Sequence, residues 1–262
     1  ILLCKALRSL GIPDFEMQVP NALSINTLTE EVVDELCKTG MEVVNLAIES
    51  GSQYVQTHII EKNVNLEKAK EIVKFFKQRN VITRCFFILG SPNETKEHIE
   101  ETIAYARDLG ADWCTFNPVI PLVGTKGYQQ FLDMGYIVDD PIFWSESAFG
   151  KRLFDTKEIS GKELMDVSYR ANLEVNFIEN ANLKEKSYQK ALESISDIVN
   201  DYPFHIVGLY SMALCYEGLG QINKVNDIRN EIGLQLKTDE RAISMMSEYG
   251  SLMPDFDVFM ES

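Results

Sequence analysis

Val43-Val44-Asn45-Leu46-Ala47-Ile48-Glu49-Ser50-Gly51-Ser52 is the stretch on which the fold turns. Its first six residues are short, mostly apolar and rich in β-branched side chains, the pattern of a parallel strand buried on both faces. The run then breaks into one carboxylate and small polar residues, as a strand does where it leaves a sheet. Downstream, helical spacing resumes from about Gln53 and again after Asn65, where Ala69, Ile72, Val73 and Phe76 share one apolar face. A second buried strand is expected over Val81 to Leu89, broken by Gly90-Ser91-Pro92. Thr95 then caps a helix with apolar positions at Ile99, Ile103, Ala106 and Leu109, and Gly110 ends it. A further strand, Asp112 to Asn117, stops at Pro118. Upstream, Phe15 to Val19 reads as a short strand, and Thr27-Leu28-Thr29-Glu30 has the form of a capping box opening a helix from Glu30 to Thr39, stopped by Gly40. Strand starts near 14, 43, 81 and 112 lie about thirty to forty residues apart with a helix in each gap, the spacing of a parallel sheet made of β/α units.

After Gly135 the pattern changes. Trp144 to Asp155 is irregular and aromatic, and from Gly161 helical spacing dominates. The expected organisation is an α/β region at 1–140, a mixed connector at 141–180 and a helical region at 181–262. Within the last, Ser187 to Ile232 reads as helix, turn, helix at about thirty-four residues per unit.

The composition is that of a globular chain: 262 residues, 45% hydrophobic and 25% charged, with no apolar run near the roughly 18 residues of a membrane span. Twenty-five basic against forty acidic residues give a net charge of −15, which disfavours nucleic acid and anionic membranes as partners. Five cysteines, an odd number without metal-ligand spacing, suggest a reducing cytoplasmic compartment rather than a disulfide framework. His58, His98 and His205 share no ligand spacing, so no metal site is expected; phosphate-loop and nucleophile-elbow motifs are missing as well. The chain opens at Ile1, inside an amphipathic pattern and without an initiator Met, which reads as a fragment.

Ligands of parallel α/β sheets sit at the carboxyl ends of the strands. There this sequence places Gln18, Pro20 and Asn21, then Glu49, Ser50 and Ser52, then Gly90, Ser91 and Asn93, and finally Asn117. Glu49 suits hydrogen bonds from ribose hydroxyls or an amino group, and equally the N-terminus of the next helix. Gly90 with Pro92 permits close backbone approach to a ligand and also simply ends strands. Lys62 either balances a carboxylate or is solvated.

Three segments in register carry a family resemblance: Leu46-Ala47-Ile48-Glu49-Ser50-Gly51-Ser52 with Lys62 thirteen residues after Glu49; Phe87-Ile88-Leu89-Gly90-Ser91-Pro92-Asn93-Glu94-Thr95; and Pro121-Leu122-Val123-Gly124-Thr125. Over roughly residues 1 to 135 the chain resembles radical S-adenosylmethionine (SAM) enzymes, especially the large group associated with a cobalamin-binding domain. The resemblance implies a partial (β/α) barrel, of which this chain supplies the last four of six β/α units. It also implies a 4Fe-4S cluster bound by a CxxxCxxC loop, which this sequence does not contain, and reductive cleavage of SAM to methionine and a 5′-deoxyadenosyl radical that acts on an unknown substrate. Val123 stands where the last motif usually has Pro.

By the same resemblance, Glu49, Ser50, Lys62, Gly90, Pro92 and Asn117 are expected to bind SAM: Glu49 near its ribose or amino acid part, Lys62 near its carboxylate, and Gly90 with Pro92 along the adenosine. Cobalamin stays open for the intact parent protein. Tyr188-Gln189-Lys190-Ala191-Leu192, Tyr202-Pro203, Ala213, Tyr216 and Leu219-Gly220 resemble a tetratricopeptide hairpin, which implies either a cap on the barrel or a surface for a protein partner. Two other readings stand beside the enzyme fragment: a non-catalytic interaction protein with a degenerate barrel and a helical adaptor, and an ordinary (β/α) enzyme using Glu49 as acid or base.

Overall fold

The computed structural model describes residues 1–139 and 154–261. The chain divides into two compact units, Ile1–Ala171 and Asn172–Ser262. Most of the aromatic stretch expected to be irregular, Trp144 to Leu153, lies outside the described residues. The first unit contains β1 (Leu23–Ser24), β2 (Val43–Glu49), β3 (Ile82–Leu89) and β4 (Trp113–Pro118). They form one parallel sheet in that order. Helix α1 (Leu2–Ser9) precedes them; α2 (Glu30–Lys38), α3 (Leu66–Gln78) and α4 (Lys96–Leu109) fill the gaps; α5 (Lys126–Asp133) and α6 (Gly161–Leu173) follow. Sequential parallel order with a helix in every gap is the α/β arrangement the spacing predicts, and it fits a sector of a (β/α) barrel.

Two expectations change. Phe15 to Val19 is not a strand. The first strand comes later and pairs through Leu23 with Leu46 and Ser24 with Ala47, so Gln18, Pro20 and Asn21 precede it rather than follow it. The Met17 N–H donates instead to the Gly40 carbonyl at 2.9 Å, and Pro20, without an N–H, cannot extend the ladder. Nor are β2 and β3 buried on both faces. Val44, Leu46, Ile48, Cys85, Phe87, Leu89, Cys114 and Phe116 are buried, while Asn45, Ala47, Arg84, Phe86, Ile88, Thr115 and Asn117 alternate with them and stay half-buried or exposed. In register, Arg84 lies between Asn45 and Trp113, and Ile88 beside Asn117, on the open face. The alternation is masked in β2 because Val43 and Ala47 of the open face are themselves apolar.

Local caps follow the side chains. α2 begins as expected, but its cap is Thr29, which accepts the Val32 N–H at 3.3 Å, whereas Thr27 Oγ1 donates to the Ser24 carbonyl at 2.8 Å. Thr95 and His98 cap α4 reciprocally, with His98 in the place where Glu or Gln is usual. Gly110 closes α4 at φ +72°.

The end of β2 is the unusual point of the unit. The register shifts between Ala47 and Glu49, and Glu49 has a left-handed backbone, φ +71°. That conformation costs a non-glycine residue about 1 kcal/mol or more. Gln56, fully buried in a π-helical turn (Val55–Ile59), holds it: its Nε2 donates to the Ile48 carbonyl at 2.6 Å and to the Ser50 carbonyl at 2.7 Å, one on each side of Glu49. Its Oε1 accepts the Val64 N–H at 3.2 Å. Beyond Glu49, Gly51 presses on α4; a Cβ there would stand 2.4 Å from Tyr105 Cβ and 2.9 Å from Thr102 Cα.

The second unit is helical, with helices Tyr188–Asp201, Ile206–Gly218, Ile222–Thr238 and Glu240–Tyr249 as its main elements. Tyr188 lies flat on Gly218, where a Cβ would be 2.3 Å from the ring. His205 caps the second of these helices by accepting the Gly208 N–H at Nδ1, 2.8 Å, and its ring stands 4.7 Å from that of Phe177. Burial holds its pKa down to about 4. Among the described residues no helix is long and apolar enough to cross a membrane.

Three outcomes follow from this packing. Gly51→Ala should lose roughly 1–3 kcal/mol of unfolding free energy through overpacking against α4, read by chemical denaturation. Glu49→Gly should be about 1 kcal/mol more stable than Glu49→Ala, since only glycine relieves the left-handed backbone. Neutral His205 is favoured by the fold, so the unfolded chain takes up its proton first as pH falls. Stability present above pH ~6.5 should therefore be lost toward pH 4, by roughly 3 kcal/mol at most, and the decline should be shallower in His205→Asn when thermal melts are compared across that range.

Candidate functional site

A cavity of about 360 Å³ lies at the carboxyl ends of β2, β3 and β4, the rim at which β/α folds place ligands, and its size suits a small molecule. Glu49 reaches it from the kink that ends β2, Ser91 and Pro92 from the turn after β3, and Lys126 from the first turn of α5, while Ile88, Val119 and Phe131 give it apolar walls. The segment Ile59–Lys62 completes it from the loop after β2.

Two ion pairs cross this loop. Lys62 Nζ donates to Glu49 Oε1, and Lys126 Nζ donates to both carboxylate oxygens of Glu61, each at 2.8 Å. Adjacent residues therefore reach opposite walls, Lys62 back to β2 and Glu61 across to α5. Left-handed backbones at Glu61 (φ +54°) and Asn63 (φ +50°) allow the chain to turn sharply around Lys62. The Glu49 side chain is 11% exposed and Lys62 54%, whereas both partners of the outer pair are largely solvated. The result is a mostly apolar hollow with one sheltered carboxylate, a second carboxylate and two ammonium groups at its margin, a charge set suited to a zwitterion.

Of the residues singled out in the sequence, Glu49, Lys62 and Pro92 line the cavity together. Ser50 is fully buried and structural: its Oγ lies 2.9 Å from Thr102 Oγ1 and accepts the Ser52 N–H at 3.1 Å. Gly90, at φ +84°, forms the turn behind the wall. Asn117 sits on the open sheet face beside Ile88 rather than on the cavity wall.

Sequence reading passed over four residues. Gln56 gave no local signal, because its partners are the two strand-end carbonyls. Glu94 accepts the Gly90 and Ser91 N–H groups at 2.6 and 2.8 Å and so holds the turn open; its position four residues after a strand-ending glycine was the available clue. Glu61 and Lys126 are 65 positions apart, and only tertiary structure pairs them.

The expected iron–sulfur cluster does not fit the described residues. Ligation needs thiolates, and burial pushes the Cys85 thiol well up and those of Cys114 and Cys215 to about 12, with Cys37 raised as well. No group of three or more His, Cys, Asp or Glu among the described residues could hold a metal ion.

Residues 3–106 match the radical SAM superfamily. The chain is 27% identical over 141 residues to cytidylyl-2-hydroxyethylphosphonate methyltransferase of Streptomyces wedmorensis, which covers 52% of this chain and 26% of that protein. It is 24% identical over 164 residues to the anaerobic magnesium-protoporphyrin IX monomethyl ester cyclase of Cereibacter sphaeroides, covering 62% and 26%. Among solved structures it is similar to TsrM from Kitasatospora setae, a radical SAM methyltransferase with cobalamin and a 4Fe-4S cluster bound, at 19% identity and a TM-score of 0.45 over 53% of this chain and 29% of that one. The chain spans about a quarter of the length of these curated relatives. The stretch that matches the radical SAM superfamily, residues 3–106, contains β1 to β3 and the Glu49, Lys62 and Pro92 side chains that line the cavity.

Proposed function

We propose that the Ile1–Ala171 unit holds S-adenosylmethionine in the rim cavity as part of a radical SAM enzyme. The observation that carries this reading is the convergence of Glu49, Lys62 and Pro92, drawn from two separate motifs, on one apolar-walled hollow. SAM presents a carboxylate, an amino group, ribose hydroxyls and a flat adenine. The Lys62 ammonium suits the carboxylate, and Glu49 accepts from the amino group or the ribose. Both already face each other, so the ligand exchanges into an existing ion pair rather than desolvating isolated charges.

The turn at Gly90–Pro92, fixed by the Glu94 carboxylate, lets the backbone approach the ring closely, while Ile88, Val119 and Phe131 exclude water from it. SAM bound beside a reduced cluster supplies radical chemistry. The described residues provide no cluster ligands, so electron delivery is not assigned to them. We read the Asn172–Ser262 helices as a tetratricopeptide-like stack, supported by the helical pair Tyr188–Asp201 and Ile206–Gly218 and by Tyr188 seated on Gly218.

Calorimetric titration of the chain with SAM tests the site. Saturable binding is expected, weakened about tenfold, or ~1.4 kcal/mol, in both Glu49→Gln and Lys62→Gln with folding retained by circular dichroism. A folded wild-type chain that takes up no SAM overturns the reading and favours the non-catalytic adaptor.

A further inference from the structure

The α5 side of the cavity presents polar groups that the SAM reading does not use. Lys126 Nζ has three N–H donors; two go to the oxygens of Glu61, leaving one uncommitted among the described residues. In the structure this pair holds the ammonium at the cavity margin. With side chains 69% and 58% exposed, it contributes little to stability, so its effect is to place the charge at the cavity margin. Ser91 lines the same cavity, is only 7% exposed, and its hydroxyl makes no hydrogen bond among the described residues. A hydroxyl that opens on the cavity and has no protein partner can donate to a ligand there. In a chain of net charge −15 an anion is repelled unless cations meet it locally. The cavity has two such cations, Lys62 and Lys126, reached from opposite walls.

We propose that Lys126, positioned by Glu61, and Ser91 form an oxyanion-binding subsite that takes a carboxylate or phosphate-type group of the substrate, separate from the Glu49–Lys62 end. This rests on the cavity being the ligand site, with Lys62 occupied by SAM. The ammonium donates its free N–H to one oxygen and the Ser91 hydroxyl donates to another, so the substrate is selected by its anionic end.

Inorganic phosphate and acetate, titrated separately into the full chain with and without SAM, test the subsite and tell which oxyanion class it prefers. Binding of at least one is expected to weaken about tenfold in Lys126→Gln, to be retained in Lys126→Arg, to fall in Ser91→Ala, and to be unchanged in Lys62→Gln. Thermal melts that overlay the wild type establish that each variant folds. Equal affinity in wild type and Lys126→Gln, or an equal loss in Lys62→Gln, overturns the subsite. SAM affinity is read in parallel: loss of SAM binding in Lys62→Gln alongside phosphate affinity indifferent to Lys126 sinks the subsite and leaves the SAM site standing. Phosphate binding that needs Lys126 in a chain that takes up no SAM does the reverse.

Discussion

A buried amide on either side of a strained residue underlies the site. Glu49 ends β2 in a left-handed conformation that an L side chain adopts at a cost, and Gln56 spans it by donating to the carbonyls of Ile48 and Ser50. Without those two bonds the carbonyls would be buried acceptors near a broken ladder, which is as unfavourable as the strain itself. The π-helical turn that carries Gln56 also leads into the Glu61–Lys62 segment, so one local irregularity places both Glu49 and the loop that faces it. Irregular backbone of this kind concentrates where function asks for a geometry that regular structure does not supply.

Around that point the unit is conventional. Helices α3 and α4 bring buried rows such as Ile72, Val73, Phe76 and Ile99, Ile103, Ala106, while Phe87 and Phe116 stack at 5.2 Å in the buried layer of the sheet. Burial of this one face supplies the driving force for the sheet. The opposite face, with Asn45, Arg84, Thr115 and Asn117 among Ala47, Phe86 and Ile88, is left more open and is of mixed polarity.

The charges at the rim work as geometry more than as stability. Exposed pairs such as Glu61–Lys126 are worth little energetically, yet they determine where an ammonium stands and leave part of its hydrogen-bonding capacity free. Lys62 and Glu61 diverge because left-handed residues interrupt the chain on either side of Lys62. A loop that joins two walls through opposite charges can release either one to a ligand at small cost.

How much of this was legible from sequence varied with the range of the interaction. Helix ends read well where caps and glycines are local: Thr95 and Gly110 act through their own backbone neighbourhood. The parallel α/β order also came through, and of the six residues expected at the rim Glu49, Lys62 and Pro92 line one cavity while Ser50, Gly90 and Asn117 do not. The position of the first strand did not, because β1 is only two residues long and exists through its pairing with Leu46 and Ala47. The half-open state of β2 and β3 was hidden for a related reason: apolar residues alone do not say whether a second layer covers them. Ser50, expected at the ligand rim, has its hydroxyl against Thr102, and with Gly51 it joins the strand end to α4. Composition and spacing thus determined by themselves the alternation of β2, β3 and β4 with helices, the Thr95 cap and Gly110 stop of α4, and the net negative charge, all of which depend on near neighbours or on totals. Only the tertiary structure decided that Gln56 braces Glu49 and that Lys126 meets Glu61, because a hydrogen bond or ion pair between distant positions leaves no period in the chain that encodes it.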